Sequence, residues 1–450
     1  MILLKILLLF CCFPLLYVLR KLIRRENINV FDLLLLWHIF YFCIIPIKSN
    51  IQTFQILFSA NFETPTTLEY VGIIAGFVYT LLYIDYRWTK NNGTKNNILN
   101  ISLYLRNLAP IRSSKILLIL LALNLFVSFM WYIPSVSYVS VFASETEGVV
   151  SKEAVFYSSV YQICITIILI IVIQKWLNEK KIEKLMLILL ACYAFSLILL
   201  PRRILTNYIL FIVFLVYSFV PQAFNIKRIF ISCIALLFIF EVYFPFYNVM
   251  RFTSVASTSS NPIENTLNLL DATISNYDEG KKKAELMTEG RTLGLFNALY
   301  RLIENDSSPS CGQLFLESID FAMPSFLNKN KGSGTQILLE KKAHSTVDQA
   351  DSFLLMGYGD FGFFLGGPYA MLIYGMILFI YKILSQINNC FLYKGNFVNG
   401  YICSLLFLFS YNLESDFEGL LANILSFIPI QIVLILLCKY NIIKVKNEKS

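Results

Sequence analysis

The chain has 450 residues, 57% hydrophobic and 15% charged, with a formal net charge of +8 and a mean hydropathy of +0.64. Soluble domains run about 45–50% apolar and about 25% charged, so a water-soluble globular domain is excluded as a description of the whole, and no nucleic-acid partner is expected. With the bilayer as main solvent, every spanning segment must satisfy its own backbone, and the expected fold class is an all-α, polytopic membrane protein.

A span needs about 20 apolar residues. In chain order, eleven runs qualify: 2–19, 30–47, 68–86, 116–134, 155–174, 185–200, 204–221, 230–247, 361–381, 397–413 and 420–438. The first, within MILLKILLLFCCFPLLYVLR, has no charged start before its apolar run and no A-x-A-like cleavage site. It reads as a retained helix rather than a signal peptide. Nine of the ten cysteines lie in or beside apolar runs, and no C-x-x-C or H-x-x-x-H pair occurs. Neither a disulfide framework nor a zinc site is expected. The abundant Ile, Asn and Lys, as in KNNGTKNNILNIS, point to an AT-rich bacterial genome.

Orientation follows the Lys and Arg bias of short loops. Residues 20–25, 87–115 and 175–184, then Lys227, Arg228, Lys382 and Lys394, and the C-terminal lysines hold 22 positive charges on one side, if the chain starts outside and crosses eleven times. The opposite short loops hold four: Lys48, Lys152, Arg202 and Arg203. The C-terminus is therefore expected in the cytoplasm. Three regions follow: membrane helices over 1–247, an extracytoplasmic loop over 248–360, and membrane helices with a basic tail over 361–450.

Arg202 and Arg203 face outward against the rule. Moving them inside would put eight later positive charges outside. They either snorkel to lipid head groups or hold an anionic group at the outer face. Inside the membrane, Glu241 in FIFEVYFPFY should have a partner in the protein interior, and Pro245 frees its carbonyl. His38, in the second run, reads as a packed polar residue.

The loop is too long for a plain connection. NPIENTLNLLDATISN, residues 261–276, predicts a helix, with Asn261 as cap, Pro262 in the first turn and Glu264 three after the cap. GRTLGLFNALYRLIEN, residues 290–305, predicts a second, with Phe296, Leu299 and Ile303 on one stripe. The lysine run 281–283 reads as a solvated face.

The loop then runs through FAMPSFLNKNKGSG and KKAHSTVDQADSFLLMGYGDFGFFLGG into the ninth apolar run. A large outer loop ending in a Pro-containing apolar stretch, a lysine, a polar segment and an acidic-aromatic-glycine helix start resembles the O-antigen polymerase family. The outward arginines between two spans also resemble that family and the related O-antigen ligases. Arg301 and Gly312 match a family pattern of arginine, ten residues, glycine, which has little weight alone. His344-Ser345 resembles the histidine motif of the ligases.

The resemblance implies about eleven membrane helices with one large helical outer loop, in a bacterial plasma membrane. It implies a glycosyltransferase without metal or cofactor that joins undecaprenyl-pyrophosphate-linked oligosaccharides, alongside chain-length regulator and flippase proteins. The leaving pyrophosphate would be gripped by guanidinium forks, for which Arg202, Arg203, Arg251, Arg291 and Arg301 are candidates. The acceptor hydroxyl would need a general base from His344, Asp348, Asp351 or Asp360. GYGDFGFFLGG, with Gly359 and Gly362, would let ligand approach backbone at a helix start, or would serve helix packing through Gly362 and Gly366. An O-antigen ligase, a flippase or transporter for lipid-linked sugars, and a non-catalytic scaffold are the other readings.

Overall fold

A computed structural model describes residues 2–49, 63–109, 115–133, 152–179, 182–199, 202–221, 271, 274–275, 277–278, 293–305, 308–323, 337–338, 352–392, 396–411 and 417–440. All regular elements among them are helical. In order they are α1 (Ile2–Cys11), α2 (Pro14–Arg24), α3 (Val30–Lys48), α4 (Thr64–Asn92), α5 (Ile101–Arg106), α6 (Lys115–Val127), α7 (Lys152–Glu179), α8 (Lys184–Leu199), α9 (Arg202–Phe219), α10 (Gly294–Glu304), α11 (Gln313–Ala322), α12 (Phe353–Phe391), α13 (Phe397–Tyr411) and α14 (Phe417–Lys439).

The protein is thus a helical membrane protein. Five described helices are long and apolar enough to cross a bilayer: α3, α4, Val160–Leu177 of α7, α12 and Gly419–Lys439 of α14. A sixth forms if α1 and α2, bent by 42°, count as one. Pro14 in the first turn of α2 explains that bend. Four of the expected runs form shorter apolar helices, at Lys115–Met130, Lys184–Leu197, Ile204–Phe219 and Phe397–Ser410. The run 230–247, with Glu241, lies outside the described residues.

The chain divides into two compact units. Residues 1–103, 289–385 and 405–425 form the first, and residues 104–288, 386–404 and 426–450 the second.

In the first unit, Asn29 starts α3 with a reciprocal capping box. Its side chain accepts from Phe31 N (2.8 Å) and Asp32 N (3.0 Å), and Asp32 accepts from Asn29 N (2.9 Å). His38, fully buried, contacts Leu34 O through Nδ1 (2.7 Å) and the Tyr374 hydroxyl through Nε2 (3.1 Å). Phe77 packs on its ring at 4.8 Å. It is a packed polar residue, as its apolar run suggests.

The helix α12 is two arms. Gly362 interrupts it with φ +67° and ψ −159°, a region open essentially only to glycine. The first arm, 353–361, folds back along the second. Phe353 meets Tyr374 at 4.8 Å, and a Cβ on Gly357 would strike the Gly366 carbonyl oxygen and sit 3.1 Å from Ala370 Cβ. Gly357 and Gly366 therefore let the arms touch backbone to backbone. The sequence places a span at 361–381 opened by Asp360; instead the chain is already helical from Phe353, and Asp360 stands at the tip of a helical hairpin.

In the second unit, α7 is buried at every position from Ile165 to Gln174, so it is enclosed all round there. Tyr161 bonds Ser196 (2.5 Å), and Tyr193 bonds Leu121 O (3.0 Å) and Asn124 (2.9 Å). A chain of buried polar groups runs from Gln431 to Asn388 (2.7 Å), from Asn388 to Asn399 (3.2 Å) and from Asn399 to the Tyr104 hydroxyl (2.8 Å). Gly400 faces Ile170 and Leu108, where a Cβ would approach within 2.8 and 2.9 Å.

Candidate functional site

Two polar constructions stand at opposite ends of the first unit. Along α4, Thr67 belongs to one and Thr89 to the other, 22 residues or about 33 Å apart.

The first is the hairpin tip. Backbone carbonyls at the end of the first arm have lost their helical partners because the chain reverses. Ser310 N donates to Gly359 O (3.1 Å) and Cys311 N to Asp360 O (2.9 Å). The Asp360 carboxylate, fully buried, returns the service to α11: it accepts from Leu314 N at 3.1 Å and from Phe315 N at 3.4 Å. Cys311 and Gly312 reach this register through positive φ values of +52° and +91°. The ring of Phe361 packs on Tyr369 at 4.5 Å, and Phe315 on Phe417 at 4.9 Å. Tyr358 of the first arm donates to Glu69 of α4 at 2.7 Å.

Beside it, α10 forms where the sequence predicts a helix. The expected stripe of Phe296, Leu299 and Ile303 is buried, and so is the rest of the helix from Gly294 to Tyr300. The helix is amphipathic as expected, with its polar end at Arg301 and Glu304, and its apolar part is enclosed by protein. Tyr70 of α4 meets Phe296 at 4.8 Å and Tyr300 at 6.1 Å. The Tyr300 and Thr67 hydroxyls lie 3.4 Å apart. Burial raises the Tyr300 phenol above its ordinary value and the Thr67 contact partly opposes it, so the group is protonated at neutral pH. Arg301 is half-buried in the last turn. Asn297, four residues before it and 1% exposed, has neither its carbonyl oxygen nor its amide nitrogen bonded among the described residues. Such a group is uncommon and calls for a reason.

The chain matches no family model, no curated protein and no solved structure.

Of the sequence candidates, Asp360, Gly359 and Gly362 come together at the hairpin tip, where all three are engaged by residues 309–315. Arg301 belongs to α10, and Gly312 precedes α11. Arg202 and Arg203 open α9 in the second unit. His344, Asp348, Asp351, Arg251 and Arg291 lie outside the described residues, as does most of the helix expected at 261–276.

The second construction is an ion cluster joining α2, α3 and α4. Lys21 Nζ donates to Asp32 Oδ1 (2.7 Å), to both oxygens of Asp85 (3.1 and 3.0 Å) and to Thr89 Oγ1 (2.9 Å). Asn29 Nδ2 donates to Asp85 Oδ1 at 2.6 Å, and the Tyr17 ring lies 4.7 Å from the ammonium. Lys21 is 2% exposed and both aspartates 0%. Counting Lys21 as a loop charge misses its role. The signal was available as Asp32 and Asp85, carboxylates inside apolar runs, which need a partner there. Asn297 gave no signal, since only the packing around α10 isolates its amide.

Proposed function

We propose that the chain extends a surface polysaccharide by joining undecaprenyl-pyrophosphate-linked oligosaccharides at the outer face of a bacterial plasma membrane. The growing glycan leaves its pyrophosphate and bonds to a hydroxyl of the incoming repeat unit, whose proton passes to a general base. The observation that supports this reading is the position of Arg202 and Arg203 in the first turn of the 18-residue helix α9. A helix N-terminus is the positive end of the dipole and repels cations. Two adjacent arginines there make sense when an anion lies over them. Pyrophosphate is such an anion, and guanidinium forks match its oxygens. With Asp360 occupied by α11, the base is sought among His344, Asp348 and Asp351. Eleven crossings with the N-terminus outside belong to the same proposal.

Deleting the protein should leave surface glycan one repeat long, with lipid-linked single units accumulating. Long chains in the deletion strain would overturn the proposal, and loss of all glycan attachment would replace it with the ligase reading. Arg202→Lys or Arg203→Lys keeps the charge and loses the fork. A charge-assisted hydrogen bond contributes about 1.5–3 kcal/mol, so chain extension should fall roughly tenfold to a hundredfold at unchanged membrane insertion. Full activity in the double lysine variant would return the pair to snorkelling.

A second reading is favoured by the buried Lys21–Asp32–Asp85 cluster and the broken helix α12. Ionisable groups within spans and discontinuous helices are features of transporters. A flippase would show uptake of lipid-linked sugar into vesicles without forming any glycosidic bond.

A further inference from the structure

A groove of about 330 Å³ runs between α3, α4 and α12 in the first unit. It falls within the roughly 300–1,000 Å³ typical of ligand sites. Its wall is apolar, built from residues such as Leu34, Leu81 and Leu378, and Trp88, Gly375 and Lys382 also line it. The helices α4 and α12 run parallel, Gly72 beside Phe363 and Phe77 beside Tyr374, which puts Trp88 and Lys382 towards the same end. No carboxylate lines it. Lys382 is half-buried, and among the described residues its ammonium has no hydrogen bond or ion pair. Trp88 is fixed by its Nε1 donation to Asn100 Oδ1 (2.9 Å) and by the Phe31 ring at 5.5 Å. Gly362 and Lys382 are 20 residues apart on the second arm of α12, about 30 Å of helix, or one hydrocarbon thickness. Lys382 thus stands where an apolar core meets head groups. By the charge distribution of the sequence, that boundary is the cytoplasmic leaflet, which is rich in anionic lipid.

We propose that this groove is a binding site for one anionic phospholipid, an acyl chain lying along Leu34, Leu81 and Leu378 and the phosphate on Lys382. Apolar depth with a single cation at the rim is the complement of that amphiphile. A zwitterionic lipid brings its own cation to the same place and loses part of the attraction. The inference rests on the membrane placement of the chain, not on its proposed polymerase activity.

Trp88 supplies the readout. In full-length protein with Trp37, Trp131 and Trp176 changed to Phe, reconstituted in vesicles, dibrominated phosphatidylglycerol should quench Trp88 with an apparent association constant about fivefold above that of dibrominated phosphatidylcholine. That ratio corresponds to roughly 1 kcal/mol for one basic side chain near anionic lipid. Lys382→Gln should bring the ratio to near one. Gly375→Leu should weaken quenching by both lipids, because a Cβ there meets nothing within 4 Å and the larger side chain fills the groove. Inorganic phosphate should displace neither lipid. Native mass spectrometry of the unaltered chain reads the same preference without any substitution, as retained phosphatidylglycerol. Equal association of the two lipids, a preference that survives Lys382→Gln, or displacement by inorganic phosphate would overturn the proposal.

Discussion

Asp360 and Leu314 are 46 residues apart in sequence, yet the carboxylate of one accepts the amide of the other at 3.1 Å, fully buried. Asp360 caps a helix other than its own, and the backbone beneath it is held in return by Ser310 and Cys311. Residues 310–315 of the long loop are therefore held at the hairpin tip by both the side chain and the backbone of Asp360.

Replacing Asp360 with Ala should remove that fastening. Loss of a capping acceptor costs about 0.5–2 kcal/mol, and the charge-assisted bonds place this cap at the upper end. Asp360→Asn keeps an acceptor oxygen and should lose less. Thermal unfolding in detergent and proteolysis near Ser310 measure both. Unchanged stability in Asp360→Ala, with chain extension abolished in Asp360→Asn, would instead make the carboxylate a catalytic base.

Gly362→Ala tests the hairpin. Space is not the obstacle, since a Cβ would lie 3.6 Å from Pro309 Cγ. Conformation is, because φ +67° with ψ −159° costs a non-glycine residue on the order of 1–3 kcal/mol. A lowered unfolding temperature is expected. Gly375→Ala, in an ordinary helical position of the same arm, should be neutral or slightly stabilising.

Lys21→Met should be among the most damaging single changes in the chain. It strands two buried carboxylates, and breaking a buried ion pair costs about 3–5 kcal/mol. Adding Asp32→Asn and Asp85→Asn to it should recover most of the loss in yield and thermal stability. A Lys21→Met protein as stable as its parent would show that the cluster adds nothing to holding α2, α3 and α4 together.

Asn297→Leu separates stability from activity. A buried amide without a partner costs about 1–3 kcal/mol, so leucine should leave stability unchanged or raise it. If the amide serves a sugar hydroxyl, chain extension should drop in the same protein. Equal activity at higher stability would reduce Asn297 to a packing defect.

Ten of the eleven apolar runs read from the sequence coincide with described helices, because composition alone decides that a lipid-facing segment is helical. The helix at Gly294–Glu304 was legible from its stripe of Phe296, Leu299 and Ile303. The hairpin was not. SFLLMGYG ahead of Asp360 is as apolar as a span, and a glycine does not announce the sign of its φ. The reversal becomes visible only when Gly357 meets Gly366. In the ion cluster the carboxylates were visible and their partner was not. Lys21 sits among basic residues at a loop, and Asn29, Asp85 and Thr89 are up to 68 residues away from it.

The hairpin also fixes a length. Its first arm has nine residues, about 14 Å, pinned at one end by Phe353 against Tyr374 and at the other by Gly359 and Asp360 against Ser310 and Cys311. One residue inserted or deleted between these points turns one end by about 100° relative to the other. A side chain would then replace Gly357 opposite Gly366, where no Cβ fits. Nine residues are too few to spread that twist. Across related chains this arm should vary in composition but not in length, while gaps collect in the loop ahead of it.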